Sequence, residues 1–389
     1  MPPSSGISKT GRLTLAFILL GVAVLLSVSR VLQKPAAVDE HAPIVVPQQP
    51  VFSQVAPATA TNSVIQGDHR LQDICDALRK ESDSRTISQQ LAELRLSLQT
   101  MPRKEAASAI RRFLDTKSDA STRLGFKVAS NGLLDQAPTL RTFLLDELGR
   151  LDPSAAADYS KLILAGMDSP DEWAVALRNL ALGDASADGR ALLSQKTAQM
   201  LQYAPWQQNP STGYLEAFDV PVYLGGAEFV PTLSSLVQSQ DNPAISHAAF
   251  LALDRLVINN PTAVLQSLES APDLMTGRES TRADYFGRAD VRDPQQREIL
   301  ESYLLNPSIG PAELQTFAGI YPNENFMISP NLLTQNTTID HEGLIDRDQQ
   351  SLAVAQQWLA DPRFAQITPV LQTIVQRLQT FAAQARQGQ

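Results

Sequence analysis

The chain has 389 residues, 43% of them hydrophobic and 6% aromatic, with one cysteine and a net charge of −9. That hydrophobic share excludes global disorder, and a lone cysteine excludes an intramolecular disulfide or a multi-cysteine zinc site. The acidic balance, 32 Lys and Arg against 41 Asp and Glu, excludes the basic footprint of a nucleic-acid-binding surface.

Residues 1–12 form a polar tail that ends in Lys9 and Arg12. Residues 13–32 follow, and Leu13 to Val28 carries no charge at all. With flanking arginine and lysine side chains reaching outward, this stretch is long enough to span a bilayer, so a retained transmembrane signal anchor is expected. A cleaved signal peptide is the alternative, with Ser27 and Ser29 as small residues at a cleavage position. Residues 35–67 hold five prolines and no Lys or Arg, the composition of a disordered linker. The expected topology is single-pass, with the C-terminal body outside the cytoplasm (periplasmic in a diderm bacterium).

From residue 68 to 389 the pattern is that of short amphipathic helices. Leu71, Ile74, Cys75 and Leu78 make one apolar stripe, which places Cys75 in the core as a small hydrophobe. Thr86 and Gln89 read as a capping box opening a second helix, and Pro102 opens a third. Leu124, Val128 and then Leu140 to Leu148 continue the helical pattern, with Gly132 and Gly149 as stops.

A repeated start signal then appears. Asp152, Ser169, Asn209, Asn242, Asn260, Asp293, Asn306 and Asp361 each stand directly before a proline, an N-cap followed by an N1 residue. Ser169 adds Glu172 as a second capping box. The spacing predicts a helix pair about every 35–40 residues, the period of helical solenoids. Two stretches, 203–226 and 318–346, interrupt it and read as irregular inserts. The final helices are expected at about 348–359 and 362–384.

The clearest unit covers residues 229–260. Phe229, Leu233, Leu236 and Val237 stripe its first helix, Gln240 to Asn242 form a polar turn, and Ile245, Ala249, Ala252, Leu253 and Leu256 stripe its second. With Pro231 early in the first helix, this unit resembles a HEAT-type repeat, and no specific family is indicated. The resemblance implies an all-α, HEAT-like or α-solenoid array of short helix pairs used for protein contact.

Chemistry is sparse. The nucleophile-elbow, P-loop, dinucleotide-binding and zinc-protease motifs are all missing from the sequence, and no pattern calls for a cofactor. His247 reads as a structural histidine within a helix, and the His341, Glu342, Asp346 group as a polar helix cap. Two stretches could carry binding. Trp206, Tyr214, Phe218 and Tyr223 are the residue types that anchor interfaces, and they equally suit pinning the loop that carries them onto its own solenoid. Arg282, Arg288 and Arg292 lie in a stretch interleaved with acids, either a solvated, self-paired face or a docking site.

The expectation is therefore a membrane-tethered extracytoplasmic scaffold that binds a protein partner, with no nucleic acid and no established catalytic residue. One alternative is a cell-envelope enzyme acting on glycan through carboxylates near Glu216 and Asp219. Another is a steric chaperone for secreted proteins. Membrane-tethered lipase foldases resemble this plan of anchor, linker and helical body, although their Arg-x-x-Phe-Asp-Tyr signature is missing here.

Overall fold

An Asp, Ser or Asn directly before proline opens five α-helices, at Asp152, Ser169, Asn242, Asn260 and Asp293, where proline presets the first turn and, at all but Asn260, the side-chain oxygen accepts an orphan amide. The computed structural model describes residues 58–336 and 340–387. Its first helices are α1 (Ala58–Lys80), α2 (Ser84–Thr100) and α3 (Arg103–Asp115). Residues 58–67, expected as the end of the linker, thus belong to α1. The cap of α2 is Asp83, whose carboxylate accepts from the Thr86 amide at 2.9 Å; Thr86 is one of its donors rather than the cap. The tail 1–12 and the expected span 13–32 lie outside the described residues. Among the described residues no helix is long and apolar enough to cross a membrane.

After α3 the chain leaves the helical pattern. Strands β1 (Lys127–Val128) and β2 (Leu134–Gln136) pair antiparallel as a small hairpin. Helices expected through Leu124 and Val128 give way here because Asn131-Gly132 makes the turn. Gly132 sits at φ +80, its amide donating to the Ala129 carbonyl at 3.0 Å.

Helices then run without long interruption: α4 (Leu140–Leu151), α5 (Pro153–Ile163), α6 (Pro170–Gly183), α7 (Ala187–Leu201), α8 (Ala204–Gln208), α9 (Thr212–Glu216), α10 (Asp219–Leu224), α11 (Val230–Val237), α12 (Pro243–Asn259), α13 (Pro261–Ser270), α14 (Glu279–Phe286), α15 (Pro294–Leu305) and α16 (Pro311–Ile320). Gly149 lies inside α4 and does not end it. A coil over residues 321–336 follows, then α17 (His341–Ala360), a 3-10 turn over Pro362–Ile367 and α18 (Thr368–Gln387). Asp152, Ser169, Asn242, Asn260 and Asp293 do precede α-helices, and Asp361 caps the 3-10 turn. Asn209 instead closes α8, and Asn306 closes α15. Segment 203–226 folds as α8, α9 and α10, too short to show an amphipathic period in sequence.

The body is all-α apart from the hairpin and is consistent with a helical repeat. Helices pack on their neighbour and on the next but one: α4 touches α5 and α6, α13 touches α15, α14 touches α16, and α16 touches α18. Three side-chain bonds between helices of the stack share one separation in sequence. Asn242 Nδ2 donates to the Gln207 carbonyl at 3.1 Å, Asn260 Nδ2 to the Gly225 carbonyl at 2.9 Å, and Tyr285 Oη to the Phe250 carbonyl at 3.2 Å. Each reaches back 35 residues.

Buried ion pairs link residues at a slightly shorter separation, 31 to 34 positions apart. Arg141 clamps both carboxylate oxygens of Glu172, Arg178 meets Asp146 at 2.5 Å, Arg288 clamps Asp254, and Arg282 clamps Glu313. Glu172 therefore faces an arginine instead of capping back onto its own helix start. A buried pair of this kind contributes little net stability, because desolvation offsets attraction, but breaking one leaves an uncompensated charge. Such pairs fix which layer packs against which.

Candidate functional site

The site forms where the hairpin, α9, α10 and α12 meet the coil 323–336. Its back wall starts from the aromatics. Trp206 packs edge-on between Trp173, at 5.4 Å between centroids, and Tyr214, at 6.2 Å; Tyr214 meets Phe218 at 5.4 Å. Trp206, Tyr214 and Phe218 are all buried, and the half-buried Tyr223 donates to the Ala181 carbonyl at 3.3 Å. Of the two roles open to these aromatics, the burial matches the one in which they pin their own segment into the helical body. The Tyr214 hydroxyl is buried without a hydrogen-bond partner, and burial pushes its pKa up.

The α9 start is tied to α6 through Asp171, which accepts from the Ser211 hydroxyl at 2.6 Å and the Gly213 amide at 3.0 Å. Gly213 leaves room for the Phe126 ring, which a Cβ there would meet at 2.8 Å. The hairpin tip is held from the other side: Arg178 Nη1 donates to the Gly132 carbonyl at 2.9 Å, and Asp146 accepts the Leu134 amide at 3.0 Å.

Across the gap runs the coil 323–336, which we call the strap. Arg288 donates to the Asn325 carbonyl at 2.7 Å and to the Asn323 carbonyl at 3.4 Å. Buried Asp219 accepts the Leu333 amide at 2.7 Å, the Thr334 amide at 2.9 Å and the Thr334 hydroxyl. Arg255 bridges the two, 2.9 Å from Asp219 and 2.9 Å from the Asn331 side-chain oxygen. Leu332 is buried, its carbonyl so near Gly132 that a Cβ there would approach within 2.5 Å.

Between strap and helices lies a cleft of about 510 Å³. Phe126, Val128, Leu215, Phe218, Leu251 and Ala252 give it apolar walls, and Met327 and Pro330 of the strap roof it. Glu216 and Asp219 both line it. Burial, then the charge of Asp219, raises the Glu216 pKa, with Arg255 opposing. The Asp219 oxygens are committed to Arg255 and the strap. His247 lies within α12 as expected, exposed at the rim and stacked on Phe250 at 6.4 Å between ring centroids. Such a cleft can take an apolar side chain and, at Glu216, a hydrogen-bond donor or a cation.

No family model matches the sequence, and no curated protein or solved structure gives a significant match.

The arginines do different work from a solvated face. Arg282 is buried against Glu313 and the Pro272 carbonyl, and Arg288 holds Asp254 together with the strap. Arg292 is exposed and bridges Asp290, at 2.7 Å, to Asp346, at 2.8 Å. At the foot of the strap, Glu324 lies near Asp348, Arg347, Arg292 and Arg377. Burial first, and Asp348 second, push its carboxyl up to about 7. Among the described residues no group of three His, Cys, Asp or Glu side chains is placed to hold a metal ion. Sequence reasoning missed the hairpin and, although it expected an irregular insert at 318–346, the role of the strap within it. The Asn131-Gly132 dipeptide was the signal for the first; the second has no regular period to find.

Proposed function

We propose that this chain is a HEAT-like α-solenoid scaffold that holds a protein partner in the strapped cleft. In this reading it is carried outside the cytoplasm by the membrane helix at 13–32 and the linker that runs from 35 to the start of α1. The observation that carries it is the cleft itself: apolar walls, a raised carboxylate at Glu216, and a rim open at His247. The 35-residue ties between layers support the solenoid reading, since they give each helix pair the same lateral partners. An apolar anchor flanked by one poorly solvated carboxylate favours a partner that inserts an aliphatic or aromatic side chain beside a lysine or arginine.

A glycan-cleaving enzyme draws on the same cleft, because a carboxyl of raised pKa between apolar walls suits a general acid. The commitment of Asp219 to Arg255 and the strap counts against it, since hydrolysis needs a second carboxylate free to act.

The test is capture from solubilised membranes with a C-terminal tag, comparing the native chain with Glu216→Ala/Leu251→Ala. A partner recovered with the native chain and lost with a variant of unchanged melting temperature supports the reading. Equal recovery with both overturns the cleft as its seat. A C-terminal reporter enzyme that folds only outside the cytoplasm tests the topology, and an inactive reporter overturns it.

A further inference from the structure

We infer that the groove over Asp219, Arg255 and Arg288 is a binding surface for an extended polypeptide, and that residues 323–336 are the chain's own occupant of it. The inference rests on the scaffold reading and names the form of the partner: a non-helical segment recognised largely through its main chain.

The latches carry it. Asp219 takes two successive strap amides, and Arg288 takes the carbonyls of Asn323 and Asn325. These are main-chain contacts, which any extended segment can supply in place of the strap. Asp219 and Arg288 sit on different layers of the stack, with Arg255 between them, so the contacts step along the array as they would along a bound peptide.

The strap is also weakly embedded between its latches. Met327 is 55% exposed and Ile328 74% exposed, while Asn325, Ser329 and Pro330 are exposed too. Leu332 is its buried apolar anchor, so little apolar area opposes lifting the middle. A second observation comes from Arg255: its Nη2 is buried and has no acceptor, although Nη1 serves both Asp219 and Asn331. A buried guanidinium nitrogen left unpaired is costly, and a ligand carbonyl at that point would satisfy it. The strap presents none there, so it fills the groove incompletely.

The probe is a fluorescent synthetic peptide of residues 323–336. It is titrated against the native full chain and against a full chain whose residues 325–335 are replaced by a Gly-Ser linker of equal length. The expected result is binding to the linker chain at least tenfold tighter than to the native chain, and a tenfold loss on adding Asp219→Asn. A linker chain that melts cooperatively with native helix content and does not bind overturns the inference. So does binding that Asp219→Asn leaves unchanged.

If the linker chain does not fold, hydrogen exchange on the native chain decides. The Leu333 and Thr334 amides should exchange well before those of α10 and α12, and faster still with excess peptide. Exchange only together with those helices would make the strap a fixed part of the core and overturn the inference. Partner capture without peptide binding defeats this inference alone. Peptide binding with partner capture indifferent to Glu216 and Leu251 defeats the cleft reading alone.

Discussion

The carboxylate of Asp219 accepts both the amide and the hydroxyl of Thr334, 115 residues further along the chain. Its other main partner is Arg255, whose side chain is 17% exposed. Removing the carboxylate therefore strips the strap of its acceptor and leaves a largely buried cation uncompensated. Asp219→Ala should lower stability by about 3 kcal/mol, and Thr334→Val, which loses only a hydroxyl, by about 1 kcal/mol. Urea unfolding of both variants checks the ratio; equal losses would mean that the Arg255 pair contributes nothing.

Asn242 does two jobs. Its Oδ1 caps α12 by accepting from Ala244 and Ile245, and its Nδ2 ties that helix to the layer before it. Asn242→Ser keeps a capping oxygen and drops the tie, at about 1 kcal/mol. Asn242→Ala drops both, at about 2 kcal/mol in total. Identical unfolding midpoints for the two variants would remove the cap from the account.

Trp206 is a wedge between Trp173 and Tyr214, so its truncation opens a cavity. Trp206→Ala should cost about 3–5 kcal/mol and make the body sensitive to protease. Tyr223→Phe loses only the bond to the Ala181 carbonyl and should cost about 1 kcal/mol or less. Thermal melts would show it, and a Trp206→Ala chain as stable as the native one would contradict the buried ladder.

Glu324 sets a pH dependence. Its carboxyl is raised from an ordinary value of 4.5 to about 7. The folded chain therefore holds a proton there that the unfolded chain has released. Stability must then fall as pH rises through the interval between 4.5 and about 7. Glu324→Gln, neutral throughout, should match the native chain below that interval and exceed it in melting temperature above it. A melting difference that does not vary with pH would sink this assignment.

Much of the helical stack was legible because caps and apolar stripes are local. Asp152, Ser169, Asn242, Asn260 and Asp293 open helices where an N-cap before proline says they should. Asn209 and Asn306 carry the same dipeptide but end helices, since a chain leaving a helix also favours an Asn in extended backbone before proline. The site was less legible for a different reason. Trp206 and Tyr214 fit either a contact surface or a packed loop in sequence, and only the neighbouring layer, which supplies Trp173, decides for the core. Arg282 and Arg288 sit among acids two to five positions away, yet their partners Glu313 and Asp254 lie 31 and 34 residues distant. Pairing across layers leaves no trace in local charge pattern.

The strap's reach has a consequence for how the body comes apart. A stack whose layers touch only their neighbours can fray from either end, each unit melting nearly by itself. Here the Asp219 and Gly132 contacts join the coil after α16 to layers far earlier in the chain. That link closes the line of layers into a circuit, so the middle of the array should melt as one cooperative block while α1 to α3 retain the freedom to fray.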